Sequence, residues 1–292
     1  IALLHPSTVR LKQRSKAMQI IKTLTAIAIT STVIIGVSST QAAVSGPKPE
    51  SINWTFNGVF GTYDRASLQR GFQVFQNVCA GCHSLNLVAF RNLKALGYNE
   101  NEVKAIAAEY EVQDGPNEDG DMFDRPATPA DHWPAPFANS RAAAAMNGGA
   151  VPPDLSLITK ARGSGGDSAI RVSMLQPSGF PLGADYVHGL LTGYLEEAPV
   201  GFDLPEGKYY NKYYPGHSIA MSSPLGEDAV EYNDGTKATT DQMSRDVTTF
   251  LVWASEPELE HRKQLGVKVI LFLIVLTAML YALKRRIWAN VH

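Results

Sequence analysis

Apolar positions recur at helical spacing in several separate stretches of the chain. After Asp64, a residue suited to capping a helix, Leu68, Phe72 and Phe75 follow at intervals of four and three and run into Cys79. The helical reading continues through residues 85–96, then 100–110. An alanine-rich helix is expected at 140–146, closed by Asn147-Gly148-Gly149, and another at 185–194. Residues 243–254 predict an amphipathic helix with Val247, Phe250, Leu251 and Trp253 as its apolar groups, stopped by Glu256-Pro257-Glu258. Gly71 interrupts the first apolar face. A glycine inside a helix costs about 1 kcal/mol relative to alanine, so close backbone contact with another helix is expected there. Between these helices lie long loops. Residues 53–61 hold too many glycines and aromatics for a regular helix, and 196–216 are dense in tyrosine. The expected fold is mainly α.

Both ends of the chain read differently from its middle. Residues 1–17 are polar and basic without apolar periodicity, and are taken as a leader. Residues 24–37 are an apolar core behind Lys22, followed by the small residues Ser38-Ser39-Thr40-Gln41-Ala42. A core of about 14 residues is short for a membrane span, so this pattern predicts a signal peptide cleaved near Ala42 or Ala43. Residues 265–283 are almost wholly apolar. At 1.5 Å per residue they reach about 28 Å, close to the hydrocarbon thickness of about 30 Å, with the Lys268 stem able to snorkel. Lys284-Arg285-Arg286 follows at once, and the positive-inside rule places that end in the cytoplasm. The expected layout is therefore leader and signal peptide at 1–42, a periplasmic domain at 43–259, and a single-pass anchor with a cytoplasmic tail at 260–292 in a bacterial inner membrane.

The formal net charge of -2 conceals a segregation. Residues 43–259 hold 15 basic against 27 acidic side chains, a net of -12, while both ends are basic. Glu109, Glu111, Asp114, Glu118, Asp119, Asp121, Asp124 and Asp131 are opposed there only by Arg125, in a stretch read as a solvated loop. A domain of this sign argues against nucleic acid and for a cationic partner.

The chemistry centres on Cys79-Ala80-Gly81-Cys82-His83, which contains the only two cysteines of the chain. Two cysteines three apart on a helical turn can form thioethers with two haem vinyl groups, and the adjoining imidazole then supplies an axial ligand. A thioredoxin-type redox pair or half a zinc site uses the same cysteines, but neither needs a histidine directly after the second. The pair Pro152-Pro153 offers an apolar wall without amide donors, and Arg162 a cation for a propionate. A second strong axial ligand remains to be found. Met18 and Met279 lie in membrane-directed segments, Met122 in the acidic stretch, and Met146, Met174 and Met243 in stretches read as ordinary packing. Met221 and His217 share a proline-bounded loop, and spacing leaves both open.

Cys79-Ala80-Gly81-Cys82-His83, its lead-in Arg65-Ala66-Ser67-Leu68-Gln69-Arg70-Gly71-Phe72, Pro152-Pro153-Asp154-Leu155-Ser156, Tyr214-Pro215-Gly216 with Ile219-Ala220-Met221, and the apolar tail together resemble the cytochrome c1 family, from about residue 53 to 286 in the family's order. The resemblance implies a cytochrome c-like haem domain with long loops and one C-terminal transmembrane helix. It implies one covalently attached haem c with His83 and Met221 as axial pair, and Arg162 and Tyr186 near a propionate. It also implies a role within a quinol:cytochrome c oxidoreductase: electrons arrive from a Rieske iron-sulfur protein and leave to a soluble basic cytochrome c, with cytochrome b alongside. Residues 163–183 exceed the mitochondrial pattern and look like the insertion of bacterial members. No Ser-His-Asp set or phosphate loop suggests substrate chemistry of the chain's own. A free-standing membrane-anchored shuttle, a haem peroxidase with an open iron position and a haem sensor are the competing classes.

Overall fold

The computed structural model describes residues 47, 49–162 and 183–289. The expected leader and signal peptide, Met174 and nearly all of the 163–183 insertion lie outside the described residues. The first helix, α1 (Arg65–Val74), is capped by the Asp64 carboxylate, which accepts from the Ala66 and Ser67 N–H groups at 2.9 and 3.4 Å. It opens into a wider π-helical turn, Phe75–Cys79, which ends on the first cysteine. Helices α2 (Glu100–Ala108) and α3 (Ser140–Met146) fall where periodicity places them, each capped by an asparagine, Asn99 and Asn139. Helices α4 (Ile158–Ala161), α5 (Gly183–Thr192) and α6 (Thr240–Ser255) complete the domain, and α7 (Leu259–Trp288) leaves it.

Helices α1 and α6 cross at Gly71, as its position inside an apolar face predicts. A Cβ built on Gly71 would lie 2.0 Å from the Asp246 carbonyl oxygen and 2.8 Å from Phe250 Cβ. The buried Asp246 carboxylate accepts from Ser67 Oγ at 2.7 Å, from Arg70 at 2.9 and 3.1 Å, and from Gln242 at 3.0 Å. Four donated bonds satisfy the oxygens of a carboxylate taken out of water. Around the crossing, Phe72 and Phe75 meet Phe250 and Trp133. The Trp133 ring also packs on Phe90 and Tyr110, with centroids 5.0 and 4.7 Å away.

Four expectations are corrected. Beyond its N-terminal residues, helix α6 does not turn its polar residues to solvent. From Met243 to Ser255 only Arg245 escapes burial, because α1, α4 and α5 pack on different sides, and its polar residues are bonded within the core: Ser244 to the His188 carbonyl, Ser255 to Thr159. Residues 85–96 are not one helix. Only Phe90–Leu96 is helical, as a 3-10 helix, since the amides of Phe90 and Arg91 donate to Asp131 and Pro129, and Val88 accepts from Trp133. The acidic stretch holds an antiparallel hairpin of β1 (Glu111–Asp114) and β2 (Phe123–Pro126). Arg125 sits between Asp114 and Asp131, so one cation screens two of the carboxylates and the pairing survives the charge. Met146, read as packing, is exposed.

Among the described residues α7 is the one helix long and apolar enough to cross a membrane, and its apolar side chains from Leu265 onward are exposed. Its first turns belong to the domain. Leu259 and Lys263 are buried, and the Lys263 ammonium donates to the carbonyls of Phe56 and Gly61, at 2.5 and 3.2 Å. Glu260 accepts from the Tyr63 N–H and from Arg65, both at 2.7 Å. The glycine-rich 53–61 stretch is thus a socket for the root of α7.

Candidate functional site

The turn that ends α1 is closed by bonds from Ala80 N to Phe75 O at 2.8 Å, Cys82 N to Cys79 O at 3.1 Å and His83 N to Cys79 O at 2.9 Å. Both cysteines are unpaired; Cys79 is half-buried against the core and Cys82 is exposed. Burial, with a smaller push from Cys82, raises the Cys79 thiol to about 12. The His83 ring is held by a bond from Nδ1 to the Pro153 carbonyl at 2.8 Å. A carbonyl only accepts, so Nδ1 carries the proton and Nε2 keeps its lone pair for a ligand. Burial lowers the His83 pKa, and the Pro153 bond and the nearby Asp154 offset this only in part, so the ring is neutral as a metal ligand must be.

The segment that provides this carbonyl is itself laced to the chain after His83. Leu155 N donates to Ser84 O at 2.9 Å. Asp154 accepts from Ser84 Oγ and Asn86 N at 2.8 Å each, and Leu87 N donates to Ser156 Oγ at 3.0 Å. Burial pushes the Asp154 carboxyl up, but the bonds from Asn86, Ser156 and Ser84 outweigh it and leave it below the usual range. Pro153 therefore contributes through its main chain, which the reading of a proline wall did not anticipate. The signal lay in Asp154 and Ser156, two short polar residues able to bridge backbone groups.

A second set of residues gathers at α5. Arg162 ends α4 and is exposed; Tyr186, on α5, is partly buried. Burial raises the Tyr186 phenol while the Arg162 guanidinium pulls it down in part, and helices α4 and α5 pack on each other. The loop carrying Met221 is tied to the chain just beyond α5. Met221 is half-buried, and its carbonyl accepts from Tyr194 Oη at 3.1 Å. His217 is differently engaged. Its ring stacks on Tyr210 at 5.4 Å with planes 10° apart, its Nδ1 bonds the Asn211 carbonyl at 3.2 Å, and its φ of 58° is left-handed. The structure thus joins Cys79, Cys82, His83 and Pro153 in one group, while Arg162 and Tyr186 lie on α4 and α5 and Met221 is tied through Tyr194 to the exit of α5. Among the described residues no group of three or more His, Cys, Asp or Glu comes together as a metal site of the zinc kind would. The donor set instead fits haem c: two free thiols on one turn and an imidazole held at Nδ1 with Nε2 left for a ligand.

A mainly helical domain built on such a turn, with one long apolar helix after it, has the make-up of a c-type cytochrome with a membrane helix. The comparisons are more particular. The model of the Cytochrome C1 family matches residues 54–291. The cytochrome c1 of Rhodospirillum rubrum is 49% identical over 268 residues, which cover 86% of this chain and 91% of that protein. The cytochrome c1 1, heme protein, of Arabidopsis thaliana is 46% identical over 251 residues, covering 86% and 75%. A Bradyrhizobium diazoefficiens protein named cytochrome b/c1 is 48% identical over 255 residues; the match takes in 86% of this chain but spans only 37% of that protein. The chain belongs to the cytochrome c1 family.

Proposed function

We propose that this chain is the electron-transfer subunit of a quinol:cytochrome c oxidoreductase, carrying one haem c bound through Cys79 and Cys82, with His83 and Met221 as axial ligands. The observation that carries the reading is the His83 ring, held at Nδ1 by the Pro153 carbonyl directly after a Cys-x-x-Cys turn, in a chain of this family. Haem c, when bound, supplies a one-electron ferric/ferrous couple. The protein's own contribution is to orient and hold. The Pro153 carbonyl fixes the imidazole tautomer and raises the basicity of Nε2. Met221 offers a soft thioether, which favours ferrous over ferric iron and keeps the potential high. Arg162, at the end of α4, and Tyr186, on α5, provide a cation and a phenol for a propionate.

The electron donor in this reading is a Rieske iron-sulfur protein and the acceptor a soluble basic cytochrome c, drawn by the acidic domain. Cytochrome b is the membrane partner, a pairing supported by a relative named for cytochromes b and c1 together. Residues 43–259 form the periplasmic haem domain after removal of the signal peptide, α7 spans the bacterial inner membrane, and Lys284-Arg285-Arg286 lies on the cytoplasmic side. Purification from membranes in mild detergent tests this: cytochrome b travels with the chain and quinol reduces its haem. A chain that isolates alone with an intact six-coordinate haem is a free-standing shuttle instead.

A further inference from the structure

The loop from Tyr209 to Met221 is fastened to α5 and its exit at successive points, and the last fastening reaches the residue read as the second iron ligand. At its start, β3 (Tyr209–Tyr210) pairs with β4 (Ser218–Ile219), and the main chains of Tyr194 and Asn211 pair beside them. In its middle, the fully buried Asn211 side chain bonds in two directions. Its amide donates to the Leu190 carbonyl at 2.7 Å, and its oxygen accepts from the Tyr213 and Tyr214 N–H groups at 3.0 and 3.1 Å. These partners, a carbonyl on one side and two N–H groups on the other, define which way the amide points. The Tyr213 ring then rests on two glycines of this region: a Cβ would come within 3.2 Å of it from Gly189 and within 2.7 Å from Gly193. At the end of the loop, Tyr194 Oη donates to the Met221 carbonyl at 3.1 Å.

A thioether is a weak, uncharged ligand. A loop that had to be ordered at the moment of ligation would oppose it with the backbone entropy of every residue fixed. Ordering the loop beforehand removes that opposition. We propose that Tyr194 is a positioning residue for the Met221 ligand: its hydroxyl pins the ligand's own main chain to the exit of α5, with Asn211 holding the rest of the loop in register. The inference rests on the reading of Met221 as an iron ligand and adds to it the device that retains the sulfur.

Tyr194→Phe in the intact membrane complex removes the hydroxyl and little else, so the fold is kept. One hydrogen bond corresponds to roughly a fivefold rise in the detached-loop population. Carbon monoxide should therefore bind the ferrous haem about fivefold faster than in the parent, with a lower midpoint potential and a weaker thioether-to-ferric charge-transfer band. Haem content and melting temperature serve as checks that the fold is intact. Met221→Leu, measured in parallel, separates the two claims. If Met221→Leu loses the band and binds carbon monoxide freely while Tyr194→Phe matches the parent in rate, potential and band, Tyr194 has no positioning role. If Met221→Leu keeps the band, the ligand reading falls, and the proposal for Tyr194 falls with it.

Discussion

Gly71 and Asp246 set the distance between the two helices that build the domain. With 2.0 Å between a hypothetical Gly71 Cβ and the Asp246 carbonyl oxygen, no side chain fits, and the obstacle is backbone that cannot swing aside. The same aspartate turns its carboxylate back to Ser67 and Arg70, one turn and one residue before the glycine on α1. Close approach and charge pairing thus come from one contact, and the π-helical turn with Cys79 is the direct continuation of the helix so fixed.

Gly71→Ala should therefore cost stability even though alanine is the better helix former. Overpacking of this kind costs about 3 kcal/mol, well above the gain of about 1 kcal/mol in propensity. The variant should melt lower and accumulate less haem-loaded protein. A melting temperature equal to the parent's would mean that the helices separate freely and that the contact sets nothing.

What was legible beforehand was mostly local. Asp64 is read as a cap because its bonds reach only two and three residues ahead, and Pro257 as a break because it acts on its own helix. Gly71 is legible because a glycine in an apolar stripe has few other uses. What escaped depends on partners far along the chain. The burial of α6 on all sides follows from groups 56 to 179 residues away, which satisfy Ser244 and Asp246. Lys263 carries no local sign of its role, since its partners Phe56 and Gly61 lie more than 200 residues upstream. At the site, Cys79, Cys82 and His83 announce themselves by spacing. The Pro153 carbonyl and the Asn211 amide do not, since main-chain acceptors leave no mark in a sequence and a loop asparagine looks like any turn residue.

The Arg125 cluster carries a pH dependence. Asp131 is held below its usual value of 3.8, first by its bonds from Arg125 and then by those from Thr128. Asp114 is likewise lowered by Arg125 and the Gly115 N–H. Carboxylates depressed in the folded state stabilise it fully above their unfolded value and lose that contribution as pH falls toward the folded one. Asp131→Asn should accordingly melt below the parent at pH 6, and the gap should close as pH drops below about 4. A gap constant from pH 6 to pH 3 would leave the ion pair without a role in holding the hairpin.

The exposed acids of the hairpin loop bear on the cationic partner. Glu118, Asp119 and Asp121 lie beyond the reach of Arg125 and face solvent. If they steer a basic cytochrome c, its association rate should fall steeply with salt, because the Debye length shrinks from about 10 Å at 0.1 M to about 3 Å at 1 M. Neutralising the three together should flatten that slope and leave the haem spectrum as it was. An unchanged slope in stopped-flow mixing would return the loop to a solubilising role.

The choice between Met221 and His217 turns on what each side chain is already doing. His217 has its ring stacked on Tyr210 and its Nδ1 on the Asn211 carbonyl, and its left-handed backbone is of the kind asparagine tolerates. The Met221 main chain is anchored through Tyr194, and its thioether enters no hydrogen bond described here. Axial ligation moves haem potentials over roughly 0.8 V, so exchanging a ligand should outweigh most changes in the surroundings. Met221→Leu should keep haem attached through Cys79 and Cys82 while opening the iron to carbon monoxide and lowering the potential, so that quinol-driven reduction fails. His217→Asn, which preserves the backbone conformation, should remain six-coordinate with a potential near the parent's. Should the His217 variant lose the low-spin spectrum while the Met221 variant retains it, the iron is bis-histidine, and the Tyr209–Met221 loop presents its imidazole in place of its sulfur.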